Sequence, residues 1–339
     1  MPSNLHRQRA SRRYVLGVTS LAATGALVLS SCAGSTEASE SGPFSPSENV
    51  SLVIHADAGG SSDLMGREVA KLLADQGLVE ESVVAENRPG GSGAVAYNYI
   101  LSQAGNPHVL GTLSSSYLTT PVSGQADYTY EDFSNLAVLA TDGLVVAVNA
   151  DSEIKTLDDL VAKASENPEE LVFAGTQTGG ADSILRHLLE QETDASFRYV
   201  AFEGGSEVNA AVLGGNADVM AANPAEIAGL IESGDLRPLA TTMPERIEGL
   251  DVPTMTEEGV DIEFTQSRGI LAPPNLTAEQ EEFWTSALES LVESDGWKGY
   301  VETNMLYPEA HFGDDADAYL GDEWDKYVDV LGELGMADS

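Results

Sequence analysis

The chain has 339 residues, 42% hydrophobic and 21% charged, a globular composition long enough for two lobes. Its 55 acidic residues against 16 basic ones give a formal net charge of −39, which excludes nucleic acid as a partner and reads as a solvated, self-repelling exterior. The single cysteine rules out an intramolecular disulfide, and His6, His55, His108, His187 and His311 are scattered without metal-ligand spacing, so no metal or cofactor is expected.

Residues 1–31 read as an export signal. A basic region ends in Arg12-Arg13, which suggests the twin-arginine route, and an apolar stretch too short for a spanning helix follows to Leu29. Leu29-Ser30-Ser31-Cys32 looks like a bacterial lipobox, so Cys32 is the expected lipidation site and first mature residue. Removing 1–31 takes away four arginines and no acid, making the mature chain more acidic still. One lipid would attach the body to the outer face of the cell membrane without spanning it. Residues 33–48, rich in Ser, Glu, Gly and Pro, read as a flexible tether.

From residue 49 strand and helix patterns alternate. Short apolar runs predict strands over 51–56, 82–86, 109–113, 144–148, 171–175, 199–202, 218–222, 237–242 and 269–273. Stripes at Phe283, Trp284, Ala287, Leu288 and Leu291, and at Ala316, Leu320, Tyr327, Leu331 and Leu334, predict the last long helices. The alternation predicts α/β architecture with mostly parallel sheets flanked by helices. Segments 142–151 and 266–274 could cross between two lobes.

Three glycine turns fall at predicted strand-to-helix junctions: Gly59-Gly60-Ser61-Ser62-Asp63, Thr178-Gly179-Gly180-Ala181-Asp182, and Glu203-Gly204-Gly205-Ser206. Such turns bare backbone N–H groups at the positive end of a helix and let a ligand approach the backbone. One turn alone is ordinary helix capping; three in one α/β chain, beyond the carboxyl ends of strands, point to a shared anion site. Ser114-Ser115-Ser116, after strand 109–113, either reaches that cleft or caps its own helix.

Nucleotide chemistry finds no support. No turn continues as Gly-Lys-Ser/Thr, and the loose GxGxxA at Gly91–Ala96 is set apart from its strand and lacks the ribose-binding acid. There is no GxSxG elbow or nucleophile–base pair. The cations available near the turns are Arg67, Arg88, Arg186, Arg198 and Arg268; most are expected in surface ion pairs, leaving backbone dipoles and hydroxyls as the main recognition groups.

Five segments in order resemble the substrate-binding proteins of tripartite tricarboxylate transporters, the TctC or Bordetella-uptake family. They are Gly59–Asp63; Val84-Ala85-Glu86-Asn87-Arg88-Pro89-Gly90-Gly91-Ser92-Gly93; Leu213-Gly214-Gly215-Asn216-Ala217-Asp218-Val219-Met220; Val252-Pro253-Thr254-Met255-Thr256-Glu257-Glu258-Gly259; and Gly269-Ile270-Leu271-Ala272-Pro273. The resemblance covers roughly residues 50–336. It implies a two-lobed, type II periplasmic-binding-protein fold with two crossing strands, lobe 1 being 49–143 plus 268–339 and lobe 2 being 144–267. It also implies closure on a small organic carboxylate and delivery to membrane permease subunits by a monomeric, exported protein that is not an enzyme.

Carried over residue by residue, the binding positions are Gly59, Gly60, Ser61 and Asp63 with Ser115 on lobe 1. On lobe 2 they are Thr178, Gly179, Gly180 and Asp182, then Gly204 and Gly205. Asp218 fixes a turn, and Asp63 also reads as a helix cap. The sequence departs from the family at Ala56-Asp57-Ala58, at Ala181-Asp182-Ser183 and at Phe202-Glu203. Asp182 and Glu203 would place acids at the cleft rim, which argues against a polyanion such as citrate. A monocarboxylate, an amino acid, or a dianion accompanied by a metal ion stays open. Two alternatives remain: a ligand-sensing subunit for a membrane receptor, and an exported α/β hydrolase using the same cleft.

Overall fold

The computed structural model describes residues 43–176, 180–202 and 204–337; the export signal, Cys32 and most of the tether lie outside them. The elements run, in order, β1 (Val50–Ile54), α1 (Ser61–Asp75), β2 (Val83–Asn87), α2 (Ala94–Leu101), β3 (Val109–Leu113), α3 (Ser115–Val122) and β4 (Ser134–Gly143). Then come β5 (Val145–Asn149), α4 (Leu157–Glu166), β6 (Val172–Gly175), α5 (Ala181–Glu192), β7 (Arg198–Ala201), α6 (Gly205–Leu213), β8 (Val219–Ala222), α7 (Pro224–Glu232) and β9 (Leu236–Thr241). The chain finishes with β10 (Thr265–Ala272), α8 (Ala278–Val292), α9 (Asp295–Thr303), β11 (His311–Phe312) and α10 (Asp314–Glu333).

These strands build two sheets, β11-β4-β10-β3-β1-β2 and β7-β6-β8-β5-β9, one for each lobe of a two-lobed α/β fold. Within the βαβ units the pairing is parallel, as helical crossovers require. The expectation of mostly parallel sheets needs correcting, because both sheets are mixed. β4 and β10 run antiparallel to each other, β10 antiparallel to β3, and β5 antiparallel to β8 and β9. The cause is the double crossing: a strand that leaves one sheet and a strand that returns to it must run in opposite senses.

The crossings pass through a compact polar hinge. Leu144 N–H donates to Thr242 Oγ1 at 2.8 Å, Thr241 Oγ1 donates to Leu144 O at 3.1 Å, and Thr242 Oγ1 donates to Phe264 O at 2.6 Å. All of these groups are paired as they pass between lobes, which lets irregular backbone lie buried there.

The cores follow from alternation. In β5, Val146 and Val148 join Phe173, Leu185 and Leu189 on one face, while Val145 and Ala147 join Val208, Val212 and Met220 on the other. Both faces are covered by helices, so the strand reads as a continuous apolar run. In lobe 1, Trp284, Leu288 and Leu291 of α8 pack with Leu52, Val69 and Leu73, and Trp284 Nε1 donates to Pro107 O at 3.0 Å. Leu320, Tyr327 and Leu331 of α10 pack on Tyr117 and Leu118 of α3, as their helical stripe requires.

Among the elements, β4, α9 and β11 were not foreseen. β4 is Ala- and Leu-rich with few β-branched residues, so its apolar run gives a weak strand signal. Pro43–Glu48, expected as the end of the tether, lies against lobe 1: Phe44 meets the Phe283 ring edge-on at 5.4 Å, and Ser47 N–H donates to His108 Nε2 at 3.2 Å.

Candidate functional site

Several helices begin at the mouth between the sheets, and their first residues line two cavities. The N-caps of α1, α3, α5, α6 and α7 are Gly60, Ser114, Gly180, Gly204 and Asn223, and none supplies a side-chain cap. Elsewhere α4, α8 and α9 are capped by Thr156, Thr277 and Ser294, while α2 and α10 start at Gly93 and Gly313 without a side-chain cap. Uncapped N–H groups at a helix start favour an anionic ligand group.

The larger cavity, about 240 Å³, is walled by Gly59 and Ser61 at the start of α1, by Asn223 and Glu226 at the start of α7, and by Asp142 and Arg268 of the crossing strands. The smaller, about 170 Å³, is walled by Ser115, Asp182, Gly205 and Gln266 and again by Asn223 and Glu226. The shared wall makes them neighbouring compartments of one cleft. A still larger hollow of about 640 Å³ lies elsewhere, between Met243–Glu248 and the α9 region; no glycine turn lines it.

The expected residues that are described are thus distributed over both compartments. Gly59 and Ser61 line the larger; Ser115, Asp182 and Gly205 line the smaller; Gly60, Gly180 and Gly204 are the adjoining N-caps. Thr178, Gly179 and Glu203 lie outside the described residues.

The Asp63 carboxylate is turned into the protein. It accepts from Gly59 N–H at 2.9 Å, Arg67 Nε at 2.9 Å and Asn87 Nδ2 at 2.8 Å. The protein crowding it raises its carboxyl, but Arg67 and these hydrogen bonds outweigh that and hold it below the usual carboxylate range. Asn87 also donates to Ala56 O at 3.0 Å, and Arg88 stacks over the Tyr99 ring at 3.7 Å. Asn87 therefore braces the first glycine turn. Asp182 is likewise caged, accepting from Thr176 N–H, Thr176 Oγ1 (3.0 Å), Ser183 N–H (2.7 Å) and Tyr199 Oη (3.1 Å). Burial pushes its carboxyl up against those bonds.

Arg67, Arg88 and Arg186 make ion pairs with Asp63, Glu86 and Glu190. Arg268 departs from the surface-pair expectation. It is 5% exposed and grips Asp142, itself 2% exposed, through Nε (3.2 Å) and Nη2 (2.8 Å). Its Nη1 donates to Ser62 Oγ at 3.4 Å, and Asn223 Nδ2 donates to Asp142 Oδ2 at 2.7 Å. A polar chain thus runs from α1 of lobe 1 through both crossing strands to α7 of lobe 2. Behind it His55 is buried, its Nδ1 facing Thr112 O at 3.1 Å and its Nε2 facing Ser114 Oγ at 2.9 Å and Ser62 Oγ at 3.3 Å.

Sequence reasoning missed Asn223, Glu226, Gln266 and Asp142. The α7 start carries no glycine turn; its one signal is Asn223-Pro224, a capping residue followed by proline at the first helical position. Gln266 and Asp142 sit in crossing strands whose polar residues face the cleft edge.

A family model described as the tripartite tricarboxylate transporter family receptor matches residues 65–336. Among curated relatives, the chain is 29% identical over 266 residues to the UPF0065 protein in the gbd 5′ region of Cupriavidus necator, covering 77% of this chain and 79% of that one. It is 26% identical over 301 residues to protein BugT of Bordetella pertussis, covering 86% and 90%. Among solved structures, a TctC solute-binding protein from Polaromonas aligns with TM-score 0.71 and 22% identity over 85% of this chain and 99% of that one. A Rhodopseudomonas palustris protein solved with adipate aligns with TM-score 0.76 and 21% identity over 86% and 99%. MatC from Rhodopseudomonas palustris, with bound malate, gives TM-score 0.72 and 18% identity over 84% and 99%. The fold of these structures is a solute-binding fold, and the family's members are receptors rather than enzymes.

Proposed function

Because the chain belongs to the tripartite tricarboxylate transporter receptor family, we propose that it is the exported, lipid-anchored component that captures a small organic carboxylate between its lobes and hands it to a membrane permease. The observation that carries this reading is the convergence of uncapped helix starts on one two-compartment cleft. Amide N–H groups there can hold a carboxylate without a free cation, which suits a chain so poor in Lys and Arg. The bound forms of the adipate and malate structures support a carboxylate as the class of ligand. Ligand bound to one lobe would stabilise the closed arrangement through contacts added by the other, with the Thr241–Thr242 hinge taking up the motion. Export and anchoring rest on Arg12-Arg13 and on Leu29-Ser30-Ser31-Cys32; Cys32→Ser should release the protein from membranes, and retention in the membrane fraction would remove the anchor.

A thermal-shift screen of mono-, di- and tricarboxylates, with and without divalent cations, tests the ligand class. A true ligand at about 100 times its Kd stabilises the native state by about 2.7 kcal/mol, a readily measured rise in Tm. Absence of any shift across the series overturns the reading. Gly205→Val supplies the matched control: its new side chain starts 3.3 Å from Glu226 Oε2, at the wall of the smaller compartment. The expected outcome is an affinity loss of about tenfold or more, from filling the compartment, with little change in the ligand-free Tm. Unchanged affinity would take the start of α6 out of the site.

A further inference from the structure

Building on the carboxylate reading above, we infer that the ligand carries a protonated amine as well as a carboxylate, and that Glu226 receives the amine. Glu226 stands in the first turn of α7 and is the acid common to both compartments. An acid in that position is ordinarily explained by the helix dipole. Here Glu226 is an exposed residue at the edge of both compartments, and its carboxylate accepts no hydrogen bond from any described residue, although donors surround the other two acids nearby. Asp142 is used by Arg268 and Asn223, and Asp182 by Thr176, Ser183 and Tyr199.

The charge balance points the same way. Arg268, Asp142, Asp182 and Glu226 lie close enough to act on one another, and Arg268 is already neutralised by Asp142. A plain carboxylate would add a negative charge to this acidic surplus. A zwitterion leaves the balance unchanged and gives Glu226 an ion-pair partner at the edge of the cleft. Protein crowding also pushes the Glu226 carboxyl above its ordinary range, and an ammonium beside it would reverse that.

A second observation supplies the other end of the ligand. Gln266 is 5% exposed and lines the smaller compartment. Its Oε1 accepts from Ser115 Oγ at 2.9 Å, which leaves Nε2 without a partner among the described residues. An unpaired buried donor is costly and marks a group that a ligand acceptor can satisfy. With Gln266 Nε2 and the starts of α3 and α6 around it, that compartment offers donors for a carboxylate, and Glu226 on its wall offers the acceptor for an amine.

Calorimetric titration of matched pairs that differ only in the amine tests this: butyrate against γ-aminobutyrate, and succinate against aspartate, at one pH and ionic strength. Amine-bearing members should bind at least about tenfold more tightly to the wild-type protein. Glu226→Gln, which keeps shape but removes the charge, should abolish that preference. The inference is overturned if the amine-free members bind as tightly, or if Glu226→Gln preserves the preference. If no member of either pair binds, the inference is overturned as well, while the carboxylate reading stands or falls with the wider thermal-shift series, which keeps the two failures distinct.

Discussion

Arg268→Met is expected to destabilise the protein by about 3–5 kcal/mol, read as a fall in the urea midpoint at unchanged slope. The arginine is buried with Asp142, and its removal leaves a buried carboxylate whose remaining side-chain donor is Asn223 Nδ2 at 2.7 Å. The loss measures that stranded charge, not the net worth of the pair. The double variant Arg268→Met with Asp142→Leu should therefore recover most of the stability, since a buried pair can often be exchanged for apolar residues at little cost. Because the chain of hydrogen bonds from Ser62 through Arg268 and Asp142 to Asn223 links the two lobes, the double variant should still bind ligand more weakly than wild type. A loss below about 1 kcal/mol in the single variant, or no recovery in the double one, would show that the pair does not hold the crossing strands as described.

The crossing strands also show where sequence stopped being informative. The glycine turns at Gly59–Asp63 and Gly204–Ser206 were legible because strand, glycine and helix are neighbours in the chain. Arg268 and Asp142 were not, because the residues that pair are far apart in sequence and only the double crossing brings them together. Gly269, part of the last family-like segment, has a purely structural reason: a Cβ there would lie 2.1 Å from Ala137 O, at a register shift between β10 and β4. The same holds for Asn87, which braces Asp63, and for Asp218, whose Oδ2 accepts from Val172 N–H at 2.8 Å. Segments that identified the family are thus largely its scaffold. Residues that would choose the ligand, Asn223, Glu226 and Gln266, lie in stretches with no distinctive pattern, since a cleft wall places no periodic demand on the chain.

A second large effect should appear as pH falls. His55 is buried, and burial first, then the positive charge of Arg268, lower its pKa to about 4 from an ordinary 6.5. The neutral form suits its neighbours: Thr112 O, 3.1 Å from Nδ1, can only accept, so a proton on Nδ1 satisfies it and the nearby Thr112 Oγ1 (3.0 Å), and Nε2 is left as acceptor for the hydroxyls of Ser114 and Ser62. Between pH 6.5 and 4 the unfolded chain takes up a proton at this position and the folded chain does not. Stability from this residue is therefore fully present above about pH 6.5, declines as pH falls through that window, and levels off below about 4. The lost amount is roughly 3 kcal/mol. His55→Gln keeps one donor and one acceptor but has no proton to gain, so its stability at pH 4.5 relative to pH 7 should fall by less than that of wild type, the difference approaching that figure near pH 4. Urea unfolding of both proteins across this range gives the comparison. Parallel curves would mean that His55 titrates alike in the folded and unfolded chains, and would undo the account of a neutral histidine wedged behind the Arg268–Asp142 pair.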